Sequence, residues 1–585
     1  MIKRLVFDLE SNGLLDTIDR IHCICIKDLD TNEMHSYTPD DIESALQVIE
    51  NAEYICGHNV ITYDIPAIQI VYPWFKPKGV VEDTLVLSRL VKADLLTDDA
   101  MNQAVGLSKR LWGSHSLRAW GIRTQKLKGD YEGGWETFNQ DMLEYCKQDV
   151  ELTSHIRDMF LSSNFSQQSI DLEHEKAHVC WSISNAGWTF DVKSAGNLYA
   201  KLSKLRAGLE DELQDLFEPW TVETEFIPKV NNKSRGYVKG EVFIKKKVIE
   251  FNPNSRIHIH KCLVDKYGWK PTQYSSQGAA TIDDTILSKL HYPEAQKLAT
   301  YFMLQKRIAQ LAEGKAAWLK LVDSKGILRH NLIPNGTISS RCSARSPNLQ
   351  QVPRVSAPHG KECRELFTAP EGWVVTGSDL SGIELRCLSF FLDDNGEYAE
   401  QILEGDIHTY NQHKFGCKSR DISKRLIYSL IYGGGDKLLG GVVGSDAKEG
   451  RRLKTNYDRS VPAFARLKRD LNTAAKRGYL VGLDGRHLFI RSAHRQLSQL
   501  LQSSGAIIAA KWVCLIHREI ERKYKDDAFI MGWIHDEVQV ACRPEVAEDV
   551  GNLSRRMAEE TGNYFKMSIP IAAEFSVGRS WAETH

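Results

Sequence analysis

A chain of 585 residues, 42% apolar and 26% charged, has room for three or four domains with ample core, and its composition is that of an ordinary soluble globular protein. Its net charge of −1 argues against a uniformly basic nucleic-acid binder, yet residues 1–165 hold 16 Lys and Arg against 26 Asp and Glu, a net −10, which leaves +9 for the remainder, the better partner for a phosphate backbone. Twelve cysteines without a CxxC pair exclude an evident zinc site or disulfide framework and point to a reducing, cytoplasmic compartment; the first ten residues turn acidic too soon for a signal peptide, and no apolar run is expected to span a membrane.

Residues 1–165 read as an α/β domain. Leu5-Val-Phe, Ile21 to Ile26 and Tyr54-Ile-Cys have strand character, and 41–50 and 83–92 have helical periodicity. Acids then fall at particular places: Asp8 and Glu10 at the end of the first strand, Asp64 opening a helix, and Asp149 one helical turn after Tyr145, so that the last two face the same way. A DxE at a strand end is commonplace alone. In this order the residues resemble the DEDD exonucleases in their tyrosine form, which implies an RNase H-like fold. It also implies two divalent ions held by Asp8, Glu10, Asp64 and Asp149, and a Tyr145 that orients the water attacking a 3′-terminal phosphodiester.

Residues 166–333 are mainly helical and carry no catalytic cluster. Ile170–Ser184 is expected to begin a second domain, and Lys201–Phe217 and Glu294–Leu321 have the pattern of long amphipathic helices. Between the last two, residues 222–250 read as a basic hairpin arm, either a solvated loop or a contact for a DNA backbone.

The C-terminal half carries three motifs. Gly377-Ser-Asp-Leu-Ser-Gly-Ile-Glu-Leu-Arg386 reads as a strand that presents Asp379 and passes at once into a helix, with Ser381 and Glu384 at capping-box spacing. Ser419 to Gly435 reads as a capped helix on which Arg420, Lys424, Tyr428 and Tyr432 recur every four positions. They form one stripe suited to phosphates at one end and a base or sugar at the other, or merely a solvated basic face. Met531 to Ala541 reads as a β-hairpin with His535-Asp536-Glu537 at its tip. Two aspartates on neighbouring strands are suited to paired divalent cations, roughly 3.5–4 Å apart in two-metal phosphoryl-transfer sites, and magnesium favours such oxygen ligands.

DLSGIELR, RDISKRLIYSLIYG and HDE, in that order, resemble the signature motifs of family A (DNA polymerase I-like) DNA polymerases, with the replicative polymerases of short-tailed bacteriophages as the nearest likeness. PNGTISSRCSARSPNLQQVP (334–353), GLDGR (482–486) and LLQSSGA (500–506) extend the likeness over nearly the whole chain. It implies a multidomain α/β and α+β protein: an exonuclease domain at 1–165, linker helices and thumb at 166–333, palm at 334–405 and 487–585, and fingers at 406–486, a right-hand arrangement.

The same resemblance implies roles. Asp379, Asp536 and the carbonyl of Leu380 would ligate two Mg²⁺ ions, for which Mn²⁺ would substitute. His408, Arg420 and Lys424 would contact the triphosphate of a dNTP. Glu384 would block a 2′-hydroxyl, Tyr428 would admit dideoxynucleotides, and Tyr432 and Gly433 would border the templating base. Arg341 and Gln502 would read the minor groove of the new pair in primer–template DNA, where acceptors sit in nearly the same place for every correct pair. Glu537 is either an accessory acid or the structural partner of a cation. The resemblance further implies a monomer that works with a replicative helicase and primase. Relatives that recruit thioredoxin carry a longer insertion near Pro219–Glu250 than the roughly thirty residues here, so no thioredoxin partner is expected. Competing readings are a 3′-end exonuclease whose C-terminal region only binds nucleic acid, and a scaffold without chemistry. The intact Asp379, Asp536 and Lys424 set disfavours the first, and the intact acid clusters at both sites disfavour the second.

Overall fold

The computed structural model describes residues 2–103, 106–126, 131–275 and 277–585. The chain forms two compact units, one of Met1–Thr189, Arg329–Val352 and Phe367–His585, the other of Phe190–Leu328 and Pro353–Leu366.

The first unit begins with a five-stranded sheet. β1 (Arg4–Ser11), β2 (Ile21–Asp28) and β3 (Met34–Tyr37) form an antiparallel meander, and β4 (Tyr54–Gly57) and β5 (Val80–Asp83) extend it in parallel on the other side of β1, in the order β3-β2-β1-β4-β5. The two-residue period of a strand sorts β1 into two faces. Leu5, Phe7 and Leu9 pack with Ile24, Ile26 and helix Ile42–Asn51. Val6 packs with Cys23, Cys25 and Cys56 against Met142, Cys146 and Val150 of helix Gln140–Leu161. Asp8 and Glu10 share the parity of Val6, so their carboxylates leave the sheet toward that second helix.

The second unit has its own core, in which Leu213, Phe217, Ile259, Leu263, Trp269, Leu298 and Tyr301 pack together. Helix Val192–Leu216 covers the expected 201–217 span. The helix expected over 294–321 is interrupted: Pro293–Ile308 passes into a π-helical turn at Ala309–Glu313, and a short helix resumes at Trp318–Leu321. The expected arm is an exposed antiparallel hairpin of Trp220–Phe226 and Phe243–Ile249. Lys245 lies 3.5 Å over the Phe226 ring on one face, and Lys246 pairs with Glu223 at 2.8 Å on the other.

The remainder of the first unit is organised on a four-stranded antiparallel sheet. In spatial order its strands are Ala528–Ile534, Glu537–Cys542, Val374–Leu380 and Ala573–Gly578. Thr376 and Ser378 point to helix Ala547–Tyr564, where the Ser378 and Ser554 hydroxyls are 2.7 Å apart. Gly377 and Asp379 point to the opposite face. There a Cβ at Gly377 would lie 2.5 Å from Gln539 and 2.7 Å from Thr584, so the residue before the acid strand end has no room for a side chain. Helix Gln496–Lys523 corrects one expectation: it is long and apolar enough to cross a membrane by length and composition alone. Its apolar residues, Leu501, Ile508, Trp512 and Ile516 among them, are buried in the main core with Leu426, Ile427, Tyr457 and Phe464.

Candidate active sites

The first acid cluster is built by the antiparallel register. Asp379 stands opposite Glu537, and the amide of Leu380 donates to the carbonyl of Asp536 at 3.0 Å, so the strand end and the hairpin turn are stitched together. The turn has only His535 and Asp536 between its strands, and His535 sits at φ 61°, the left-handed region that side chains disfavour. The Trp533 indole donates to the His535 carbonyl at 2.8 Å and pins the tip. Burial, and then the charges of Asp536 and Glu537, push the Asp379 carboxyl up to about 7. Burial and Glu384 likewise raise Asp536. Such shifts mark a place where carboxylates have been gathered with too little positive charge to hold them ionised.

Glu537 is 3% exposed and receives hydrogen bonds from the Trp581 indole and from Gln539, whose nitrogen lies at 2.7 Å. His585 Nδ1 lies 2.9 Å from its other oxygen, and Asp379, Glu537 and His585 bring ligand atoms within 4.8 Å of one another. Gln539 is two residues along the same strand, on the same face as Glu537, whereas the contributions of Trp581 and His585 are tertiary and left no signal in the sequence.

The expected capping box is not formed. Gly382, at φ 56°, is the N-cap of helix Ile383–Phe391, and no side chain caps it; the Ser381 carbonyl instead accepts from Arg386 Nε at 2.7 Å. A left-handed glycine between Ser381 and the helix moves the hydroxyl out of capping geometry, and Glu384 falls one position too early. Its carboxylate is released to accept from the Tyr432 hydroxyl at 2.8 Å and to face Arg341 Nη2 at 3.8 Å.

Helix Arg420–Ile431 does form, with Ser419 as its N-cap accepting from the Ile422 amide. Leu426, Ile427, Leu430 and Ile431 are buried, and the stripe of Arg420, Lys424, Tyr428 and Tyr432 lies on the other side. The Tyr428 and Tyr432 rings stack at 6.3 Å between centroids. Burial raises Tyr428 to about 12, with Glu384 and Asp536 contributing, so this ring lies within electrostatic reach of the first acid cluster. Arg420 is engaged by Asp406 at 2.7 Å, and Asp406 also caps the helix that carries His408. Burial, Arg420 and Lys424 depress His408, whose Nδ1 has no hydrogen-bond partner among the described residues. Gly433, at φ 83°, ends the stripe where a Cβ would lie 2.8 Å from the His494 carbonyl. Gln502 is half-buried on helix Gln496–Lys523.

The second acid cluster is assembled from separate elements. Asp8 and Glu10 come from β1, Asp64 is the first residue of helix Asp64–Val71, and Asp149 is buried on helix Gln140–Leu161. Burial, then Asp83 and Asp149, push Asp64 up to about 7. Asp83, 1% exposed and part of an Asp83-Thr-Leu segment that resembles the exonuclease domain of phage polymerases, has no role that its sequence context assigns. Its carboxylate accepts from the amides of Asn59 at 2.8 Å, Ile61 at 3.2 Å and Leu85 at 2.8 Å, and so shapes the loop that delivers Asp64. Cys146 was also missed; its thiol shares a 4.8 Å neighbourhood with Asp8 and Glu10. Tyr145, one turn before Asp149, lies within an aromatic group, 5.8 Å from the Tyr131 ring and 6.4 Å from Trp135.

Residues 230–583 match the model of DNA polymerase family A. The chain belongs to that family. The DNA-directed DNA polymerases of Enterobacteria phage T3 and Escherichia phage T7 are each 32% identical to this polymerase over 99% of its length and all of theirs. Those alignments run over 704 and 705 positions, so the two relatives carry more than a hundred residues with no counterpart in the 585 here. In fold, the polymerase resembles the POL domain of Pol1 from M. smegmatis, solved with DNA primer-template and dNTP. The TM-score is 0.75 at 16% identity, covering 99% of this chain and 96% of that one. It is a template-directed DNA polymerase of the phage T3 and T7 type.

Proposed function

We propose that this polymerase extends primers at the Asp379–Asp536 cluster and proofreads at the Asp8–Glu10–Asp64–Asp149 cluster, each with a pair of divalent cations. One observation carries the reading: two separated groups of carboxylates, each with a member pushed up to about 7 by burial and by its neighbours' charge. Acids held so close are costly until a cation neutralises them. At the first cluster the donors are carboxylate oxygens and the Leu380 carbonyl, a set that suits magnesium, or manganese in its place. When bound, paired divalent ions supply Lewis acidity and charge neutralisation for phosphoryl transfer.

The chain's own residues do the rest. His408, Arg420 and Lys424 bind the triphosphate; the unfilled Nδ1 of His408 and the shared electrostatics of the three support this. Binding requires Arg420 to exchange its Asp406 partner for phosphate. Glu384, held by Tyr432, stands against a 2′-hydroxyl beside Tyr428. Arg341 and Gln502 check the minor groove of the new pair, and Gly433 leaves room for the templating base. At the second cluster Tyr145 orients the attacking water. The mixed sheet of β1–β5 supports an RNase H-like exonuclease domain, the second compact unit the thumb, the four-stranded sheet the palm, and residues 406–486 the fingers.

The missing hundred residues relative to the T3 and T7 polymerases, and a self-contained hairpin at 220–249, support independence from thioredoxin. Purified protein is expected not to retain thioredoxin in a pull-down, and tight retention would refute this. We place the enzyme in the host cytoplasm as a monomer beside a helicase and primase; its twelve cysteines, all free, suit a reducing compartment.

Extension and excision of a labelled primer–template in Mg²⁺ test the central reading. Asp379→Ala should abolish extension and spare excision, and Asp8→Ala should do the reverse. Each loss should exceed the ~100-fold typical of groups that merely orient metal ligands. Loss of both activities in either variant would sink the assignment of two independent sites.

A further inference from the structure

Within the first unit, a group of four charged side chains is closed to solvent. Glu173 and Lys176, both at most 1% exposed, lie one turn apart on helix Gln167–Ala186, with Nζ 3.2 Å from Oε1. Arg486 of the GLDGR segment, 1% exposed, also bonds Glu173 and grips Asp484, with Nε 2.9 Å and Nη2 2.6 Å from Asp484 Oδ2. Two acids and two bases cancel. Although burial opposes ionisation of Glu173, the Lys176 and Arg486 charges outweigh it and hold its carboxyl below the ordinary range.

Buried ion groups of this kind add little net stability compared with apolar packing of the same volume. The contacts show what else this one does. Lys176 Nζ sends a second hydrogen bond, 3.0 Å, to the carbonyl of Ser340. Ser340 lies at φ 61°, a conformation its side chain disfavours. Its amide closes a turn onto the Thr337 carbonyl at 3.0 Å, and the amide of the next residue, Arg341, donates to the Thr337 hydroxyl at 3.2 Å. The strained peptide that launches Arg341 is therefore gripped at its carbonyl by a buried ammonium, which in turn is anchored by three other buried charges.

We propose that Lys176 is a positioning residue that acts through the Ser340 carbonyl to fix Arg341 for its contact with the minor groove of the newly formed base pair, with Glu173, Asp484 and Arg486 holding the ammonium in place. The proposal rests on the minor-groove reading of Arg341 given above. It predicts that selectivity for a correct terminal pair is set partly by a side chain that never touches DNA.

The test is extension from a primer whose terminal purine carries C–H in place of N3, compared with the natural primer. The wild type should extend the analogue about 10- to 100-fold more slowly, the worth of one charge-assisted hydrogen bond. Arg341→Ala should be slow on both primers alike. Lys176→Met combined with Glu173→Gln removes one charge of each sign and leaves Arg486 paired with Asp484. This variant should behave as Arg341→Ala does, with the analogue penalty reduced to less than about threefold, and adding Arg341→Ala to it should change nothing more. Lys176→Gln, the smallest change, is read in the same way should the paired variant fail to fold. A penalty that survives undiminished in either Lys176 variant overturns the proposal, because a merely structural role slows both primers equally. An absent penalty in the wild type overturns the Arg341 reading itself.

Discussion

The two acid clusters solve one problem, gathering like charges, by different means. Around Asp379 the geometry is a matter of register: a strand end, a two-residue turn and a backbone hydrogen bond of 3.0 Å fix the acids by the same bonds that make the sheet. Around Asp64 the acids arrive on a strand and two helices, and their meeting depends on how those elements pack and on the loop shaped by Asp83. A cluster set by register resists any change short of breaking the sheet. One set by packing can be disturbed from behind.

The largest expected effect uses that vulnerability. Asp83→Ala leaves two loop amides and the first-turn amide of helix Thr84–Val91 without their acceptor, a loss on the order of 3–5 kcal/mol at ~1–3 kcal/mol per orphaned donor after partial relaxation. Excision should fall steeply while extension survives, measured on one primer–template; equal loss of both would break the distinction between the clusters. Acid should come next and spare neither cluster. Burial pushes His330 down to about 4, and burial together with Arg89 and Arg123 pushes His115 down to about 3. Both lie below the ordinary value of about 6.5, so between those limits the unfolded chain binds more protons than the folded one. The histidines' contribution should be complete above pH ~6.5 and be lost as the pH falls toward 4, by roughly 3 kcal/mol for His330 alone, while the raised carboxyls of Asp379 and Asp64 act with the opposite sign over the same range. Chemical denaturation of the wild type and of His330→Gln at a series of pH values should show the wild type losing that much more stability than the variant as the pH falls from ~6.5 to about 4. The smallest effect sharpens the register-built site: Tyr428→Phe should lower the ratio of dideoxy to deoxy incorporation by about tenfold, ~1.4 kcal/mol, with excision untouched. An unchanged ratio would remove Tyr428 from sugar recognition.

Much of this architecture is legible in the sequence because it is local. The strand before Asp379, the hairpin around Asp536 and the helix of Arg420 and Tyr428 each follow from periodicity and turn residues a few positions apart. The Ser381 capping box failed because one glycine, Gly382, took a left-handed conformation that spacing cannot reveal. Helix Gln496–Lys523 holds no unbroken apolar run of membrane-spanning length, although its length and overall composition would suffice; tertiary packing against Leu426 and Phe464 is what accounts for it. The loop-shaping bonds of Asp83, the place of Cys146, and the Trp581 and His585 neighbours of Glu537 are out of reach for the same reason. Their meaning comes from what lies across from them.

The four-stranded sheet also has a temporal consequence. Its inner strand Val374–Leu380 finds one neighbour only at Ala573–Gly578, about 190 residues later in the chain. At a ribosomal pace of ~5–20 residues per second that flank waits some 10–40 s with its amides and carbonyls unpaired. An exposed strand flank is a template for the wrong partner. Nascent chains arrested before residue 573 should therefore be the species that chaperones hold and that aggregate when expression outruns them.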